Sequence, residues 1–458
     1  MRTPFSLVTD RAPGAAVVRL AGRLDGASAQ QADEVLEGLI QDGETRLILD
    51  CAGLEFLSSA GIRSLLLAVQ HLRSRGGALT LVALRPPVRE VLTLTGILPL
   101  VGVGETCAEA LAAASAPVPA APAAAAGTGH APSAAVRAEF AREMQQAVEE
   151  VHARHRRLDS GAVATYIPEL GKADPAHFGV CVVTADGGVF AAGDCDEPFT
   201  IQSISKPLTF GMALEAYGHE QVSRHVGVEP SGDAFNSIEL QPGVNRPYNP
   251  MINAGAITVS ALLHARHGDR AFPLVLERFS QAAGRPLQVD EAVYESERRT
   301  GHRNRSIAHL LLNFGMVHEA VEPALEVYFR QCSIMVTCRD LAFIAATVAN
   351  LGRHPVTGVQ VFEPGVVKYM LAIMLTCGMY DYAGEWAYRV GVPAKSGVAG
   401  GLMAVVNRQA GLATYSPRLD ARGNSVRGIE ACVDLAARFG LHAFDPINVG
   451  SNLLRALG

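Results

Sequence analysis

The chain has 458 residues, of which 49% are hydrophobic and 18% charged, and its formal net charge is −6. This length allows two or three domains with sizeable cores, and the acidic balance gives no electrostatic reason to expect a nucleic-acid partner. No apolar run reaches the roughly 18–20 residues of a membrane span, and the N-terminus lacks the apolar core of a signal peptide. Eight scattered cysteines without C-x-x-C spacing favour a cytoplasmic protein with free thiols.

The first hundred residues alternate apolar runs with amphipathic stretches. Short apolar runs predict strands, and apolar residues repeating at i, i+3 and i+4 predict helices. Strands are predicted at 15–21, 46–50 and 78–84, and helices at 28–43, 59–77 and 88–97. This alternation implies an α/β layer fold of about 110 residues.

The segment RLILDCAGLEFLSSAGIRSLL, with LTGILPLV after it, resembles the STAS domain, the fold of anti-sigma-factor antagonists. The resemblance covers residues 1 to about 112 and implies a regulatory domain with a protein partner. Antagonists of this family are phosphorylated on a serine at a helix N-terminus, and the matching residue here is Ser59. The N–H groups and dipole of a helix N-terminus suit a phosphate. The alternative, that Ser58 or Ser59 only caps the helix, stays open, since the family often has an acidic residue at the position of Ser58.

A stretch rich in alanine and proline, residues 115–132, follows the first domain. It has no charge and no apolar periodicity, so it cannot bury a core and is typical of a semi-stiff spacer. We therefore divide the chain into a STAS-like domain at 1–114, a linker at 115–132 and a second domain at 133–458, and we expect the two domains to fold separately.

Ser203 and Lys206 form an S-x-x-K motif in the second domain. On a helix, residues three apart share a face with Cβ atoms about 5–6 Å apart, so the two side-chain tips can meet. A lysine activates a serine hydroxyl only where burial or a nearby cation lowers its pKa from about 10.4. Pro207 would interrupt a helix begun far upstream, so we expect the helix to start near Ser203. Taken alone, the motif is also compatible with a chance pair on a solvated helix. Ser205 diverges from Lys206 around the helix and is the weaker nucleophile candidate.

The second domain begins and ends with predicted strands. A hairpin is predicted in 177–194, helical segments run from about 255 to 376, and paired strands around Gln409–Gly411 precede a final helix at 425–440. A sheet assembled from both ends of a domain, with helices between, is the plan of the serine β-lactamase and transpeptidase fold. The sequence therefore predicts an α/β domain followed by an α+β domain of this kind.

The triplet Lys395-Ser396-Gly397 stands just before the predicted C-terminal strands. Penicillin-recognising enzymes combine S-x-x-K with a K-T-G-like triplet on such a strand. In those enzymes the strand edge supplies backbone N–H groups to an oxyanion hole, and the lysine and hydroxyl contact an anionic substrate. Ordinary turn chemistry is the alternative for the triplet by itself.

Five longer segments resemble the serine-dependent glutaminases, whose fold is the β-lactamase-like one. They are QSISK, NPMINAGAI, YESERRTGHRNRSIA, YFRQCSIMVTC and MYDYAGEWAYRVGVPAKSGVAGG, and ATYIPEL adds a sixth, all within about residues 138–456 in unbroken order. The resemblance implies hydrolysis of L-glutamine to L-glutamate and ammonia through a covalent γ-glutamyl enzyme. It implies no metal and no organic cofactor, and we expect a homo-oligomer, either a dimer or a tetramer.

The same resemblance assigns roles to individual residues. Ser203 would be the nucleophile and Lys206 its activator, with Tyr328 and Tyr380 at the catalytic centre. Substrate contacts are implied for Tyr166, Gln202, Ser203, Asn253, Glu297, Asn304, Tyr328, Tyr380 and Val398. A glutamate such as Glu297 suits an α-ammonium group, whereas asparagine amides suit a carboxylate. The backbone N–H groups of Ser203 and Val398 would form the oxyanion hole.

Two other functions stay open at this point. The first is a β-lactamase or peptidase-like amidase on the same fold, which the lack of an export signal and the presence of Glu297 disfavour. The second is a signalling module with a decayed enzyme attached, which the complete set of Ser203, Lys206, Tyr380 and Lys395 disfavours.

Overall fold

A computed structural model gives the fold in two compact units, Met1–Ala131 and Pro132–Gly458. The structure describes residues 5–12, 14–25, 28–58, 77–94, 101–114, 134–232, 238–318 and 321–444, with residues 61, 64, 65, 68, 69, 71, 72, 75 and 98. None of the helices within these ranges combines the length and the apolar character that crossing a membrane requires.

The first unit is a five-stranded sheet with helices, within the ranges given above. Its elements are β1 (Ser6–Ala12), β2 (Ala15–Leu24), α1 (Ala29–Gln41), β3 (Arg46–Leu57), β4 (Ala78–Val82), α2 (Pro86–Leu94), β5 (Gly102–Gly104) and α3 (Cys107–Ala114). The strands follow the order β1-β2-β3-β4-β5, with β1 antiparallel to β2 and the remaining neighbours parallel. The described residues between 61 and 72 are also helical.

The predicted elements of the first unit are present among the described residues, and the structure differs from the prediction at several points. Strand β1 and helix α3 were not expected, because β1 alternates only exposed and half-buried residues and α3 is a short run rich in alanine. Helix α2 begins at Pro86, whereas the sequence places it after the two prolines. Proline fits the first turn of a helix, where its missing N–H would have no partner.

The predicted phosphate acceptor, Ser59, lies outside the described residues. Its neighbour Ser58 accepts a hydrogen bond on its hydroxyl oxygen from the Gly61 N–H at 3.4 Å. A serine side chain that accepts from a backbone N–H three residues later is the usual arrangement of a helix N-cap. This contact supports a capping role for Ser58, and phosphorylation of Ser59 stays a prediction.

The second unit interleaves short strands with many helices. Its strands are β6 (Gly179–Thr184), β7 (Val189–Gly193), β8 (Phe199–Thr200), β9 (Gln288–Val289), β10 (Ile334–Val336), β11 (Ala394–Ser396), β12 (Gly401–Val406) and β13 (Ala410–Tyr415). Its α-helices are α4 (Ala134–His155), α5 (Lys206–His225), α6 (Asn253–His267), α7 (Ala271–Ala283), α8 (Glu291–Thr300), α9 (His302–Asn313), α10 (Val321–Cys332), α11 (Cys338–Ala349), α12 (Pro364–Cys377), α13 (Ala383–Arg389) and α14 (Val426–Phe439).

The main sheet of this unit has the order β11-β12-β13-β6-β7 in the described residues and is antiparallel throughout. As predicted, its strands come from both ends of the unit. One face packs on α4 and α14, and the other on α5 and α11. Burial on both faces explains why β12 and β13 are continuous apolar runs. The turn between them lies at 407–409, two residues upstream of the predicted position, with Arg408 at φ 64°.

A second, small sheet of order β8-β10-β9 lies beside the start of α5. Strand β8 ends at Thr200, and the Ile201 N–H donates to the Ile334 carbonyl at 2.8 Å. This sheet therefore anchors the chain immediately before the S-x-x-K motif.

We expect a fragment of residues 133–458 to fold without the first unit. The three buried hydrophobic clusters of the second unit are built from its own residues, so its core does not depend on the rest of the chain. Circular dichroism and thermal unfolding of the fragment, beside fragment 1–114 and the full chain, test this. The fragment should show a cooperative transition that matches one transition of the full chain. Insoluble protein, or soluble protein without that transition, would contradict the proposed boundary.

Candidate active site

Ser203 lies in a 3₁₀ turn, Gln202–Ser205, that leads directly into α5 at Lys206. Residues i and i+3 eclipse one another in a 3₁₀ turn, so Ser203 and Lys206 project from the same side, as their spacing predicts. Pro207 occupies the first turn of α5, which agrees with the expected start of the helix. Ser203 is 6% exposed, so its hydroxyl is available to a small ligand but largely withdrawn from water.

The residue before the nucleophile candidate has an unusual backbone conformation. Gln202 has a φ of 50°, a left-handed value that costs a non-glycine residue about 1–2 kcal/mol. Two hydrogen bonds flank it: the Ser205 hydroxyl donates to the Gln202 carbonyl at 2.7 Å, and Gln202 Nε2 donates to Thr200 Oγ1 at 3.1 Å. Strain of this kind persists only where the surrounding structure enforces it.

Lys206 is 1% exposed, and its amine is held by two oxygen atoms. Nζ donates to Asn253 Oδ1 at 2.7 Å and to the Met251 carbonyl at 3.2 Å. Burial lowers the pKa of Lys206 from 10.5 to about 8, while the charge of nearby Glu297 acts in the opposite direction. With this pKa, part of the Lys206 population is neutral near neutral pH and can accept a proton.

Tyr380 makes the direct contact with the Ser203 hydroxyl. Its own hydroxyl donates to the Ser396 carbonyl at 3.0 Å. A phenol has one proton to donate, so in the hydrogen bond between Ser203 and Tyr380 the serine is the donor. Burial raises the pKa of Tyr380, and the hydrogen bond from Ser203 works against that rise. Among the described residues, the Lys206 amine donates to Asn253 and Met251 and not to Ser203, so the predicted meeting of the two tips is not a direct hydrogen bond in this state.

Lys395 packs against the ring of Tyr380. This side chain is fully buried, and Nζ donates to the Gly378 carbonyl at 2.9 Å and to the Ser396 carbonyl at 2.7 Å. It lies 4.1 Å from the centroid of the Tyr380 ring. Burial, and then the charge of Lys206, lower the pKa of Lys395 well below its usual value. Lys395 therefore packs against Tyr380, whose backbone has a left-handed φ of 56°. Its amine donates hydrogen bonds to two backbone carbonyls.

Asn253 and Asn304 form an ordered pair of amides next to Lys206. Because Nζ of Lys206 donates to Asn253 Oδ1, the amide orientation of Asn253 is fixed, and its Nδ2 donates to Asn304 Oδ1 at 3.0 Å. This leaves the amide N–H groups of Asn304 as donors for an anionic group. Asn253 is the first residue of α6, where the positive end of the helix dipole adds to the preference for an anion.

Glu297 is a buried carboxylate within reach of a cation. It is 7% exposed on α8, and burial raises its pKa from 4.5 to about 7, while the charge of Lys206 lowers it. Tyr328, on α10, is buried beside it, and burial raises the pKa of this phenol. An ammonium group bound here would offset the cost of burying the carboxylate.

Tyr166 lies at the edge of this group. As a residue it is 55% exposed, whereas burial of its hydroxyl, with Glu297 and Tyr380 nearby, raises its pKa well above the usual value. The two observations are compatible if the ring borders solvent while the hydroxyl points into the site.

The loop after β11 packs against the turn that carries Ser203. A Cβ added at Gly397 would lie 3.1 Å from the Ile201 carbonyl oxygen, which is tighter than an ordinary contact, so glycine favours the close approach of the two backbones. The loop closes through hydrogen bonds from Gly397 N–H to the Gly401 carbonyl and from Gly400 N–H to the Gly397 carbonyl, both 2.9 Å. In the part of the chain that the structure describes, neither the Ser203 N–H nor the Val398 N–H donates to a protein acceptor. Both are suited to bind an oxyanion.

Comparison with known proteins identifies the family. A family model described as glutaminase matches residues 161–444. Over 302 residues the chain is 52% identical to a glutaminase of Trichormus variabilis, covering 66% of this chain and 90% of that protein. Over 311 residues it is 46% identical to a glutaminase of a Methylobacterium species, covering 67% of this chain and 99% of that protein. The chain belongs to the glutaminase family.

Solved structures agree with this assignment. A probable glutaminase from Bacillus subtilis, complexed with 6-diazo-5-oxo-L-norleucine, matches with a TM-score of 0.60 at 36% identity, covering 66% of this chain and 96% of that one. The protein named Mglu, in its glutamate form, matches with a TM-score of 0.64 at 42% identity, covering 67% and 71%. A STAS domain model matches residues 6–110. The predicted fold class is confirmed, and the chain is an amidohydrolase with an N-terminal STAS domain.

In the glutaminase domain, the structure links the residues that the sequence singles out. Hydrogen bonds or charge interactions join Ser203, Lys206, Tyr380, Tyr328, Tyr166, Asn253, Glu297 and Asn304. Gln202 directly precedes Ser203, and Val398 follows Gly397, which packs against Ile201. Within the described residues, no group of three or more His, Cys, Asp or Glu side chains is arranged to hold a metal ion.

Several partners at the site were missed by the sequence reasoning. Cys332 is buried beside Ser205 and Tyr328, and burial raises the pKa of its thiol to about 12. It occurs inside the motif YFRQCSIMVTC, but a single thiol among apolar residues is typical of a core position. The hydrogen bonds to the Met251 and Ser396 carbonyls could not be predicted from the sequence, because every residue has a backbone carbonyl.

The basic residues of the chain are almost all arginine, and only four are lysine. Lys172 and Lys368 are exposed, whereas Lys206 and Lys395 are buried. Arginine stays protonated in proteins, so a basic side chain that must become neutral has to be lysine. Because the chain has only four lysines, NMR can follow the titration of each lysine side chain separately.

We expect Lys206 to titrate near pH 8 in the free protein, well below the ordinary lysine value of about 10.4. Replacing Glu297→Gln should lower the pKa of Lys206 further, because a negative charge that favours the ammonium is lost. NMR of ¹³C-lysine-labelled protein, with the signals assigned by single substitutions, measures both. Glu291→Gln, at an exposed glutamate on the same helix, is the control. A Lys206 pKa near the ordinary value, or a rise on Glu297→Gln, would contradict this description of the site.

Proposed function

We propose that this chain hydrolyses L-glutamine to L-glutamate and ammonia through a γ-glutamyl ester on Ser203. The observation that carries the proposal is the buried lysine amine of Lys206, with a pKa of about 8, three residues after a serine at a helix start. Membership of the glutaminase family supports glutamine as the substrate. Its close relatives carry the name glutaminase as well.

Recognition of a free amino acid is assigned to charged and amide groups around Lys206. The α-ammonium group of the substrate pairs with Glu297, and the α-carboxylate accepts from Asn304 and from the remaining N–H of Asn253. Binding the ammonium favours the ionised form of Glu297, whose pKa is about 7 in the free protein. These contacts involve both α-substituents, so they select an amino acid over a peptide or a β-lactam.

Acylation begins when Ser203 Oγ attacks the carbon of the side-chain carboxamide. The neutral Lys206 amine takes the serine proton, and Tyr380, which accepts a hydrogen bond from Ser203, orients the hydroxyl and can relay that proton. Negative charge on the carboxamide oxygen is bound by the N–H groups of Ser203 and Val398. The carbon–nitrogen bond then breaks, Lys206 returns the proton to the leaving nitrogen, and ammonia departs.

Deacylation repeats the same steps with water as the nucleophile. Water attacks the ester carbon, Lys206 accepts its proton, and the oxyanion again binds to the two N–H groups. The ester bond breaks towards Ser203 Oγ, which recovers a proton from Lys206. Glutamate leaves, and the free enzyme is restored with the same protonation state.

The STAS domain carries none of these steps, and we propose that residues 1–114 have a regulatory or assembly role. The cytoplasmic location, the homo-oligomer and the regulatory protein partner stay predictions. Ammonia release by fragment 133–458 at the rate of the full chain would support this division. Loss of activity in a folded fragment would show that the first domain contributes to catalysis.

Ammonia release should be found with glutamine, but not with asparagine, and a chromogenic β-lactam should stay intact. Ser203→Ala and Lys206→Ala should each lower kcat for glutamine by at least about 10³-fold, because the nucleophile or its base is removed. Lys368→Ala, at an exposed lysine, is the control and should keep normal turnover. Circular dichroism checks that each variant is folded. Near-normal turnover by Ser203→Ala would exclude the proposed mechanism.

Glu297→Gln should raise KM for glutamine and weaken inhibition by glutamate. A lost charge-assisted hydrogen bond is worth about 1.5–3 kcal/mol, which corresponds to a loss of roughly 10- to 150-fold. In the wild type, kcat/KM should fall as pH drops through about 8 and then about 7, because Lys206 and Glu297 must both be deprotonated. In the variant one of these two steps disappears and the other moves to lower pH. An unchanged KM and pH profile would remove Glu297 from the site.

A further inference from the structure

A chain of buried polar side chains lies behind the nucleophile turn and takes no part in the proposed chemistry. Gln331 Nε2 donates to Ser205 Oγ at 3.4 Å, and Gln331 Oε1 lies 3.4 Å from Ser260 Oγ, whose hydroxyl also donates to the Ala256 carbonyl at 3.0 Å. The Ser205 hydroxyl in turn donates to the Gln202 carbonyl at 2.7 Å. These contacts run without a break from helix α6 to the residue before Ser203.

The chain joins three elements that carry the candidate site. Ser260 is on α6, which begins at Asn253, and Gln331 is on α10, one helical turn after Tyr328. Ser205 belongs to the turn of Ser203. A shift of either helix would therefore reach the nucleophile turn through this chain.

Ser205, Gln331 and Ser260 are all fully buried, at 0% exposure. The single proton of the Ser205 hydroxyl is donated to the Gln202 carbonyl, and the Ser205 oxygen accepts a hydrogen bond from the Gln331 amide. Water has no access to replace a missing member, so removing one partner leaves a buried polar group unsatisfied. Fully satisfied polar networks in an interior hold one geometry in preference to others.

The Ser205 hydroxyl donates to the peptide group between Gln202 and Ser203, and the N–H of that same peptide group is a proposed oxyanion donor. The carbonyl of Gln202 and the N–H of Ser203 belong to the same planar trans peptide, so the two groups point in opposite directions. A hydrogen bond that fixes the direction of the carbonyl therefore fixes the direction of the N–H. It also holds Gln202 at its left-handed φ of 50°.

We propose that Ser205, oriented by Gln331, is a positioning residue that aims the Ser203 N–H at the substrate oxyanion. The proposal rests on the function proposed above and adds to it a requirement that neither motif nor family membership states. Neither side chain touches the substrate. Their loss should reduce transition-state stabilisation and leave ground-state binding of the amino-acid head group intact.

Ser205→Ala should lower kcat for glutamine by about 10- to 100-fold, less than the loss expected when an oxyanion donor is removed outright. KM, inhibition by glutamate and the pH dependence of kcat/KM should stay within about twofold of the wild type, since Glu297, Asn304 and Lys206 keep their contacts. Ser205→Cys, which retains a weak donor, should give an intermediate kcat. Gln331→Met should lower kcat in the same way but by less, because the bond from Ser205 to Gln202 remains.

Ser333→Ala is the matched control. Ser333 is another fully buried serine directly after α10, and its hydroxyl donates to the Phe329 carbonyl of that helix at 2.9 Å. This variant should lose stability in thermal unfolding and keep the wild-type kcat. A stability loss alone therefore cannot produce the result expected for Ser205→Ala.

The outcomes separate this inference from the proposed function. If the wild type does not release ammonia from glutamine, the proposed function fails. If the wild type is active and Ser205→Ala keeps the kcat of Ser333→Ala, or raises KM without lowering kcat, the positioning role is overturned and the function stands. If Ser205→Ala does not fold, Ser205→Cys and Gln331→Met decide, and normal kcat in both overturns the inference.

Discussion

Burial of the Lys206 amine is the constraint on which the arrangement of the glutaminase domain depends. A solvated lysine holds its proton at neutral pH and cannot act as a base, so the protein has to withdraw the amine from water while satisfying its hydrogen bonds. The Asn253 amide and the Met251 carbonyl do this with two neutral oxygen atoms. A carboxylate in their place would restore the ordinary pKa. Glu297 is near enough to raise the pKa of Lys206, but burial raises its own pKa to about 7, so it is only partly ionised near neutral pH.

The second buried lysine, Lys395, is likewise withdrawn from water and positions Tyr380. Lys395 fixes two backbone carbonyls and packs on the ring of Tyr380, whose hydroxyl shares one of those carbonyls. Because Lys206 and Lys395 interact electrostatically, a proton on either one disfavours a proton on the other.

The parts of the site that could be predicted from the sequence are those carried by short local spacing or by distinctive motifs. The Ser203 and Lys206 pair and the triplet at Lys395 are of this kind. Partners far apart in sequence could not be predicted, such as Gln331 with Ser205, which are separated by 126 positions. Backbone features, such as the left-handed φ of Gln202 and of Tyr380, leave no trace in residue type, because tertiary contacts impose them against local preference. Strand β1 was not predicted because it is an exposed edge strand, and such a strand has little hydrophobic pattern in its sequence.

Covalent labelling at Ser203 tests the central claim most directly. The compound 6-diazo-5-oxo-L-norleucine has the amino-acid head group of glutamine and an electrophilic carbon next to a carbonyl; reaction with a hydroxyl releases dinitrogen and leaves a stable ether. Peptide mapping by mass spectrometry should find one modification, on Ser203, that excess glutamate prevents and that is lost in Lys206→Ala. Modification of another residue, or labelling of Ser203 that proceeds equally well in Lys206→Ala, would contradict a serine activated by a buried lysine.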